Sequence, residues 1–333
     1  MEKNLQVCIR SLPTGAVDEA HFEVREAALP ALASGEVRVR NHFLSLDPYM
    51  RKRLADAVEG RVRLHVGELM MGRTVGEVVE SRDCAFRPGD QVVGWGGWQL
   101  YSAEPAARLE KIGAASGLPL SVYLGVLGRP GTTAWLGVVN VAQLQANECI
   151  VVSSAAGAVG SLAGQMALHL GARVVGIAGG PDKCNAVVKE LGFHACVDYK
   201  SPAFEQALCE ATPQGVEVCF ENVGAAVLDA TLSRMNENGR IAVCGLLGHY
   251  HSGPPYALRN FSRVLDRGLH VTGFRIDANT HLHERARSNL RAWFDAGVFR
   301  RWETVSMGLE SAPAAFVAML AGRGQGKTLV QLI

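Results

Sequence analysis

A short stretch of small residues in the middle of the chain carries the strongest chemical signal. Ala155, Gly157 and Gly160 stand in the spacing A-x-G-x-x-G, after the apolar run Cys149–Val152 and before a helix-like segment. Glycines at these positions let a pyrophosphate approach the backbone and let the helix pack on the strand, while N–H groups at the helix N-terminus bind phosphate. The spacing predicts a dinucleotide site; a plain tight turn between strand and helix is the alternative.

The end of the second strand of this unit indicates which dinucleotide binds. NAD-binding units usually place a carboxylate there, bonded to the ribose 2′-hydroxyl. Here the strand ends in Gly176–Gly180 without an acidic residue, and Lys183 follows in the next helix. Lys183 is suited to bind a phosphate as a point charge, and Tyr199 after the third strand adds a hydroxyl donor. The pattern favours NADP(H) over NAD(H), with a solvated helix charge as the alternative interpretation of Lys183.

Two kinds of hydrophobic periodicity divide the chain. Up to about residue 120, apolar and polar residues alternate in short runs separated by Gly and Pro, which is typical of a β-rich domain. Strands then alternate with helices, which predicts a doubly wound parallel sheet. The predicted fold class is therefore α/β, with a Rossmann domain over 123–296 and a β-rich domain formed by 1–122 and 297–333.

Three local predictions in the β-rich part are open to test. Gln91–Ala103 is predicted as one strand, and a short helix is expected with Asp47 as N-cap and Pro48 as its first residue. The apolar strand Lys327–Ile333 needs a sheet to join and is expected to return to the first domain.

Composition excludes several classes of function. The 333 residues carry 33 basic and 32 acidic side chains, interleaved, without a basic tract for nucleic acid. No apolar run has the length of a membrane span, and the N-terminus lacks the apolar core of a signal peptide. The eight cysteines form no C-x-x-C pair, so reduced cysteines in a cytoplasmic protein are expected.

Several segments spread over nearly the whole chain show a family resemblance. Together they resemble the zinc-free medium-chain dehydrogenase/reductases, in the branch of prostaglandin reductases (leukotriene B4 12-hydroxydehydrogenases) and bacterial curcumin reductases. The segments are Leu46–Arg51, Gly131–Ala134, Ala155–Ser161, Glu221–Gly224, Arg234–Asn236 with Gly239–Gly245, and Gly308–Glu310 with Ala312–Phe316.

The resemblance implies an NADPH-dependent reductase of α,β-unsaturated ketones and aldehydes with a GroES-like barrel as its first domain. It also implies a homodimer formed through the edge strand near Leu269–Phe274. The implied cofactor contacts are Gly157, Ala158, Val159 and Gly160 for the pyrophosphate, Lys183 and Tyr199 for the 2′-phosphate, Asn222, Cys244, Gly245, Leu246 and Tyr250 along the cofactor, and Phe274 near the nicotinamide.

One cofactor contact departs from the family pattern. The family usually has an Asn shortly before the final Gly-Lys, whereas this chain has Gly324 at the equivalent place. Gln325 beside it is the candidate substitute.

Catalytic zinc is not expected from the sequence. Zinc-dependent relatives carry a Cys early in the first domain and a Gly-His-Glu, but these regions read Ser45–Asp47 and Gly72–Thr74 here. About three N or S ligands are needed for such a site. His249 and His251 flank Tyr250, and a polar loop is the preferred interpretation of that pair over a metal site.

Without zinc, conjugate reduction is the simplest hydride chemistry. Hydride would reach the β-carbon of an enone, and a hydrogen-bond donor would stabilise the enolate oxygen. Tyr256, Tyr49 and the nicotinamide ribose 2′-hydroxyl are the candidate donors, and solvent is the candidate proton source for the α-carbon. Tyr49, Arg51 and Tyr256 match family positions near the substrate mouth; packing aromatics and a surface charge are the alternatives.

Two other functions remain open at this point. The same fold supports an NADPH quinone oxidoreductase, and a cofactor site alone does not exclude a protein that binds NADPH without turnover.

Overall fold

A computed structural model of the chain describes residues 3–54, 63–113, 117–249 and 256–333. The first unit comprises Met1–Leu124 and Glu303–Ile333, and the second unit comprises Gly125–Trp302. Each unit has its own sheet and its own buried core.

The N-terminal part of the first unit is mostly β-structure. Its elements are β1 (Lys3–Ile9), β2 (Phe22–Ala28), β3 (Glu36–Ser45), α1 (Met50–Leu54), β4 (Thr74–Ser81), β5 (Gln91–Gly94), β6 (Tyr101–Pro105) and β7 (Glu110–Lys111).

Two of the local predictions were wrong in detail. Gln91–Ala103 forms two strands, because the intervening backbone turns at Gly97 (φ +75°) and buries Trp98 completely. The Trp98 carbonyl there accepts a hydrogen bond from Val7 N in β1. The short helix begins at Met50 rather than Pro48.

The second unit alternates strands and helices along the chain. Its elements are α2 (Arg129–Trp135), β8 (Cys149–Ser153), α3 (Ala158–His169), β9 (Arg173–Ala178), α4 (Pro181–Leu191), β10 (Ala195–Asp198), α5 (Phe204–Ala211), β11 (Val216–Glu221), α6 (Ala225–Arg234), β12 (Met235–Val243), α7 (Arg263–Asp266), β13 (His270–Gly273) and α8 (His283–Asp295).

These strands form one sheet in the order β10-β9-β8-β11-β12-β13, and every neighbouring pair is parallel. The order is that of a Rossmann fold, with the strand order reversing between β8 and β11. The prediction of a doubly wound parallel sheet is confirmed. All five residues of β8 are buried, as expected for a central strand covered on both faces.

Helix α3 packs unusually close to its neighbours because its inner face carries glycine. A Cβ atom on Gly164 would lie only 1.8 Å from Cζ of Phe193, a ring that fills the space above this glycine. Phe193 is itself 2% exposed. The helix therefore requires glycine at position 164 in order to pack against Phe193. This packing also fixes the position of the N-terminus of α3.

The C-terminal segment completes the first unit. It contains β14 (Glu303–Met307), α9 (Ala312–Leu320) and β15 (Lys327–Gln331). The large sheet has the order β14-β15-β3-β4-β5-β7, with β6 also paired to β3, and β15 runs antiparallel to β3. The expected return of the last strand to the first domain is confirmed. In the core of this unit, Trp98 stacks on Phe22 at 5.4 Å and meets Phe316 edge-on at 5.6 Å.

A buried ion pair links β15 to the turn after β3. Nζ of Lys327 donates to Asp47 Oδ1 at 2.8 Å and to the Leu46 carbonyl at 2.7 Å. Ser45 Oγ donates to the other carboxylate oxygen of Asp47 at 2.6 Å. The Lys327 side chain is only 4% exposed. The pair therefore fixes the backbone that leads into α1.

Replacing Lys327 by Met should destabilise the first unit by about 3 kcal/mol, because a largely buried Asp47 carboxylate loses its cation. Urea denaturation followed by tryptophan fluorescence measures the change. Lys3→Met is the control in the same unit, since both members of its pair with Glu26 are exposed and the pair should contribute less than about 1 kcal/mol. Equal losses for both variants would contradict a special role for the buried pair.

Candidate functional site

The candidate site lies at the carboxyl ends of β8 and β11, where the strand order reverses. From this point the chain passes from β8 into α3 and from β11 into α6, and open α/β sheets bind their ligands at such a position. Ser153 ends β8 and Glu221 ends β11. The loops that follow these two residues contain most of the residues predicted to hold the cofactor.

The glycine-rich turn after β8 has the geometry expected of a phosphate loop. Gly157 is the N-cap residue of α3 and has no side chain to occupy the helix N-terminus. A Cβ on Gly160 would lie 2.3 Å from the Ser154 carbonyl oxygen, so only glycine allows this approach. Ser154 itself adopts φ +51°, a conformation that L-residues adopt rarely. The turn therefore presents the first-turn N–H groups, including those of Ala158 and Val159, to an anion.

A second group of residues surrounds the turn after β9. Gly179 leaves open the space beside two side chains: a Cβ there would lie 2.9 Å from Tyr199 Cε1 and 3.1 Å from Lys200 Cε. Lys183 projects from the first turn of α4, just beyond Gly180. Tyr199 and Lys200 therefore lie against the turn after which Lys183 projects, and Lys200 is near enough to Lys183 to affect its pKa. The sequence prediction named Lys183 and Tyr199 but not Lys200. The sequence feature that could have pointed to Lys200 is its place directly after Tyr199.

Lys183, Tyr199 and Lys200, together called the lysine pocket, place two ammonium groups near one turn. Partial burial and, to a smaller extent, the nearby Lys200 ammonium lower the pKa of Lys183. Two like charges held close together are stabilised when a phosphate binds between them. Asp198 accepts hydrogen bonds from Gly180 N at 2.7 Å and Lys200 N at 2.9 Å, which holds the turn and Lys200 in place. These side chains offer the kind of donors that bind a phosphate.

A buried carboxylate joins the ends of β8 and β11. Glu221 is completely buried, and its Oε1 accepts hydrogen bonds from Ser153 Oγ at 2.9 Å, from Gly224 N at 2.7 Å and from Val223 N. Burial raises the pKa of Glu221, and these donors oppose the rise. The sequence prediction did not assign Glu221 a role, although a Glu at the end of an apolar strand was visible.

The same network orients Asn222, which was predicted to line the cofactor. Its backbone N–H donates to Ser153 Oγ at 2.7 Å, and its Nδ2 donates to the Ser153 carbonyl at 2.7 Å. Asn222 is 6% exposed. Its side-chain amide is therefore fixed across the reversal point, against the end of β8.

The segment after β12 packs on this loop. Cys244 N and Gly245 N both donate to the Glu221 carbonyl, at 2.8 and 3.1 Å, and Leu247 N donates to the Asn222 carbonyl at 2.9 Å. Burial, with a smaller contribution from the Glu221 charge, raises the pKa of Cys244 to about 12. The predicted residues Cys244 and Gly245 thus lie beside Asn222, and the Cys244 thiol remains protonated.

The remaining predicted residues of the second unit are placed as follows. Phe274 follows β13 and meets Phe220 edge-on at 6.4 Å. Leu246 is 37% exposed beside Gly245. Tyr250 and His251 lie outside the described residues.

Tyr256 has a defined partner in the second unit. Its hydroxyl lies 3.4 Å from Asp229 Oδ2, and the same carboxylate accepts hydrogen bonds from Arg259 Nε at 3.0 Å and Asn260 N at 2.8 Å. Asp229 is completely buried on α6, while Tyr256 is 39% exposed. The segment that begins at Tyr256 is therefore anchored to α6.

Three predicted site residues belong to the first unit. Tyr49 packs partly buried against the core of this unit. Arg51 is 8% exposed, and its Nη2 donates to the Gly15 carbonyl at 2.7 Å. Gly324 is half-buried, and the following Gln325 is tied by its backbone to the Thr304 hydroxyl. The roles of these three residues toward a ligand stay predictions.

Two further properties of the described residues concern metals and membranes. Across residues 3–54, 63–113, 117–249 and 256–333, no three or more His, Cys, Asp or Glu side chains are grouped so as to hold a metal ion. Over the same ranges, no helix combines the length and the apolar character needed to cross a bilayer.

The Rossmann sheet, the glycine turn and the lysine pocket define a dinucleotide-binding protein. Comparison with known proteins refines this class. A family model described as the N-terminal domain of oxidoreductase matches residues 6–112, and one described as zinc-binding dehydrogenase matches residues 158–289.

Related proteins match over almost the whole chain. The NADPH-dependent curcumin reductase of Escherichia coli (strain K12) is 36% identical, with 99% of this chain and 97% of that protein covered. Prostaglandin reductase 1 of Sus scrofa is 37% identical, with 94% of each chain covered. The crystal structure of CurA from Vibrio vulnificus in complex with NADPH matches with a TM-score of 0.93 at 34% identity, with 99% of each chain covered.

The chain therefore belongs to the medium-chain dehydrogenase/reductases, in the branch that contains these reductases. The family resemblance predicted from the sequence segments is confirmed.

Replacing Lys183 by Ala should lower kcat/KM for NADPH about 10- to 100-fold, the effect of removing a charged hydrogen-bond donor from a phosphate. The value for NADH should not change, because NADH lacks the 2′-phosphate. Initial-rate kinetics with both cofactors measure this difference. Lys189→Ala, an exposed lysine of the same helix, is the control and should change neither value. A parallel loss with NADH would show that Lys183 acts on folding rather than on the 2′-phosphate.

Proposed function

We propose that this protein uses NADPH to reduce the C=C bond of α,β-unsaturated ketones and aldehydes, without a zinc ion. The observation that carries the proposal is the pocket of Lys183, Tyr199 and Lys200 beside the glycine turn, in a chain of this reductase branch. The protein is an NADP-dependent oxidoreductase of the type that acts on CH–CH groups. Curcumin, for which one relative is named, is a conjugated ketone of the proposed substrate class.

Bound NADPH would supply the hydride for the β-carbon of the substrate. The protein residues bind the two ends of the cofactor. Gly157–Gly160 offer backbone N–H groups to the pyrophosphate, and the lysine pocket receives the 2′-phosphate. Asn222, held by Ser153, and Phe274 after β13 line the part of the cofactor toward the nicotinamide.

Negative charge develops on the substrate carbonyl oxygen during conjugate reduction. A donor placed at that oxygen stabilises the enolate-like transition state. Tyr256 and Tyr49 are the candidate protein donors, with the cofactor ribose hydroxyl as a further donor. To act in this role, the Tyr256 hydroxyl must leave Asp229, to which it donates in this structure. The α-carbon then takes its proton from solvent, which requires no dedicated acid in the chain.

Zinc is unnecessary in this scheme because hydride addition to a polarised C=C bond needs only a donor at the carbonyl oxygen. Zinc normally serves this class as a Lewis acid with about three protein ligands. Ser45 and Arg73 stand where zinc-dependent relatives have a Cys and a His. Gly324 would leave the C-terminal cofactor contact to backbone or to Gln325.

The decisive experiment measures NADPH consumption with alkenals, alkenones of increasing chain length, saturated alcohols with NADP⁺, and quinones. We expect turnover of enones and enals, with mass spectrometry of the product showing saturation of the C=C bond. In the same assay, Tyr256→Phe or Tyr49→Phe should cost about 10²–10³ in kcat if that hydroxyl is the donor.

The other outcomes have defined meanings. Turnover of quinones alone would identify a quinone oxidoreductase, and NADPH binding without turnover of any substrate would identify a non-catalytic binding protein. Unchanged activity after metal chelation is expected, and lost activity that Zn²⁺ restores would overturn the zinc-free mechanism.

We also propose that the protein works in the cytoplasm. Its eight cysteines are all free thiols, and such a number of unpaired cysteines suits a reducing compartment.

A homodimer formed through the edge of the Rossmann sheet is a further part of the proposal. All four residues of β13 are exposed, although the strand ends a six-stranded parallel sheet. Exposed apolar side chains lie on or just before it: Phe261 at 59%, Leu265 at 86% and Val271 at 47%. An uncovered edge of this kind tends to pair with another strand, and a second copy would satisfy it by two-fold symmetry.

Sedimentation of the purified protein should give twice the mass of one chain. Combining Leu265→Glu with Val271→Glu should produce monomers, because charges are placed in an apolar contact. Val24→Glu, which alters an exposed valine of the first unit, should leave the dimer intact. A monomeric parent protein would contradict the proposal.

A further inference from the structure

Two cysteine side chains lie between α4 and β10, close in sequence to Lys183 and Tyr199. Cys184 lies in the first turn of α4, one residue after Lys183, and Cys196 lies on β10. Each thiol is the largest influence on the pKa of the other, so the two side chains are neighbours. Cys184 is buried at 7% exposure, and Cys196 is half-buried. No part of the cofactor site described above uses either thiol.

The space for this pair is created by a glycine. Cys196 is paired with Gly176 in the β9–β10 ladder, and a Cβ on Gly176 would lie 3.2 Å from the Cys196 sulfur. On the helix side, the Cys184 sulfur lies 4.0 Å from the Ala178 carbonyl oxygen. The two thiols therefore occupy a small, defined gap between the sheet and α4.

The surrounding turn connects this gap to the phosphate pocket. Cys184 N donates to the Gly180 carbonyl at 3.2 Å, and Gly180 N donates to Asp198 Oδ1 at 2.7 Å. Lys183 lies between Gly180 and Cys184 on the chain. A shift of Cys184 toward β10 must therefore move the backbone that carries the Lys183 ammonium.

The two thiols differ in reactivity. The neighbouring Cys196 thiol lowers the pKa of Cys184, while burial and the Asp198 charge oppose this effect. The same contact and burial raise the pKa of Cys196. Since the thiolate is the reactive form, Cys184 is the nucleophile of the pair and Cys196 the partner that completes the bond.

We propose that Cys184 and Cys196 form a reversible disulfide with hydroperoxides and that this bond weakens binding of the cofactor 2′-phosphate. The second half rests on the proposed function, because Lys183 is taken to bind that phosphate. A disulfide holds its sulfurs about 2 Å apart, closer than thiols that are not covalently bonded. Forming the bond draws the first turn of α4 toward β10 and displaces Lys183 from its position near Lys200.

The chemistry balances with hydrogen peroxide as the oxidant. The Cys184 sulfur attacks one peroxide oxygen, the O–O bond breaks, and water leaves a sulfenic acid on Cys184. The Cys196 sulfur then attacks the Cys184 sulfur, the S–O bond breaks, and the hydroxyl leaves as water with the Cys196 proton. Two thiols and one peroxide thus give one disulfide and two waters, and a dithiol reductant reverses the oxidation by exchange.

The test uses the full-length protein before and after treatment with hydrogen peroxide. Mass spectrometry of the alkylated digest should show a peptide in which Cys184 is linked to Cys196. Titration followed by NADPH fluorescence should show Kd rising about 10-fold or more, in keeping with a weakened charged contact. Kd for NADH should stay constant, and dithiothreitol should restore tight NADPH binding.

Variants separate this pair from the exposed cysteines. Cys184→Ala and Cys196→Ala should each keep tight NADPH binding after peroxide, whereas Cys209→Ala, which removes an exposed thiol, should respond like the parent protein. Cys184→Ser serves if the alanine variant folds poorly, because it retains a polar atom of similar size.

Three results would overturn the inference: absence of the linked peptide, a linked peptide with unchanged Kd for NADPH, or a rise in Kd for NADPH after peroxide in either alanine variant that is as large as in the parent protein. Failure of the proposed function has a different signature. In that case the reduced parent protein would not bind NADPH more tightly than NADH, or would bind it without reducing an enone, whatever the state of the thiols.

Discussion

The carboxylate of Glu221 sets the geometry of the cofactor end of the second unit. It joins the last residue of β8 to the first residues after β11, at the point where the sheet changes direction. Asn222 and the segment from Cys244 to Gly248 are then bonded to this joint through backbone groups. A buried carboxylate is stable only when donors satisfy it, so the position of several residues predicted to line the cofactor depends on this joint.

The sequence predicted the second unit well because its signals were local. Apolar β-branched runs and glycine spacing are sufficient to predict parallel strands and the phosphate turn, and both were found in the order of a Rossmann sheet. The absence of a carboxylate after β9 and the presence of Lys183 predicted an NADP pocket, and the structure places Lys183 and Tyr199 around the same turn. Residues that are close in sequence could be assigned from their order alone.

Other features could not be predicted from local sequence patterns because they depend on contacts between distant parts of the chain. Trp98 interrupts a predicted strand because its carbonyl accepts a hydrogen bond from β1 and its ring stacks on Phe22 in the core. The sequence around Lys200 is that of an ordinary surface lysine, and its closeness to Gly179 exists only in the folded chain. Glu221 looked like the polar end of a strand, and its donors come from two separate loops. Alternating patterns describe a strand, but they do not reveal which neighbour it meets.

The sheet of the first unit is assembled from the two ends of the sequence. Lys327 reaches back over 281 residues to Leu46, and β15 lies between β14 and β3. During synthesis the continuous second unit can therefore complete its sheet while the first unit still lacks two strands. Contacts of such long range form slowly, and N-terminal strands waiting for partners expose apolar edges. The order of translation thus favours a folded Rossmann unit first, with the N-terminal sheet closing last.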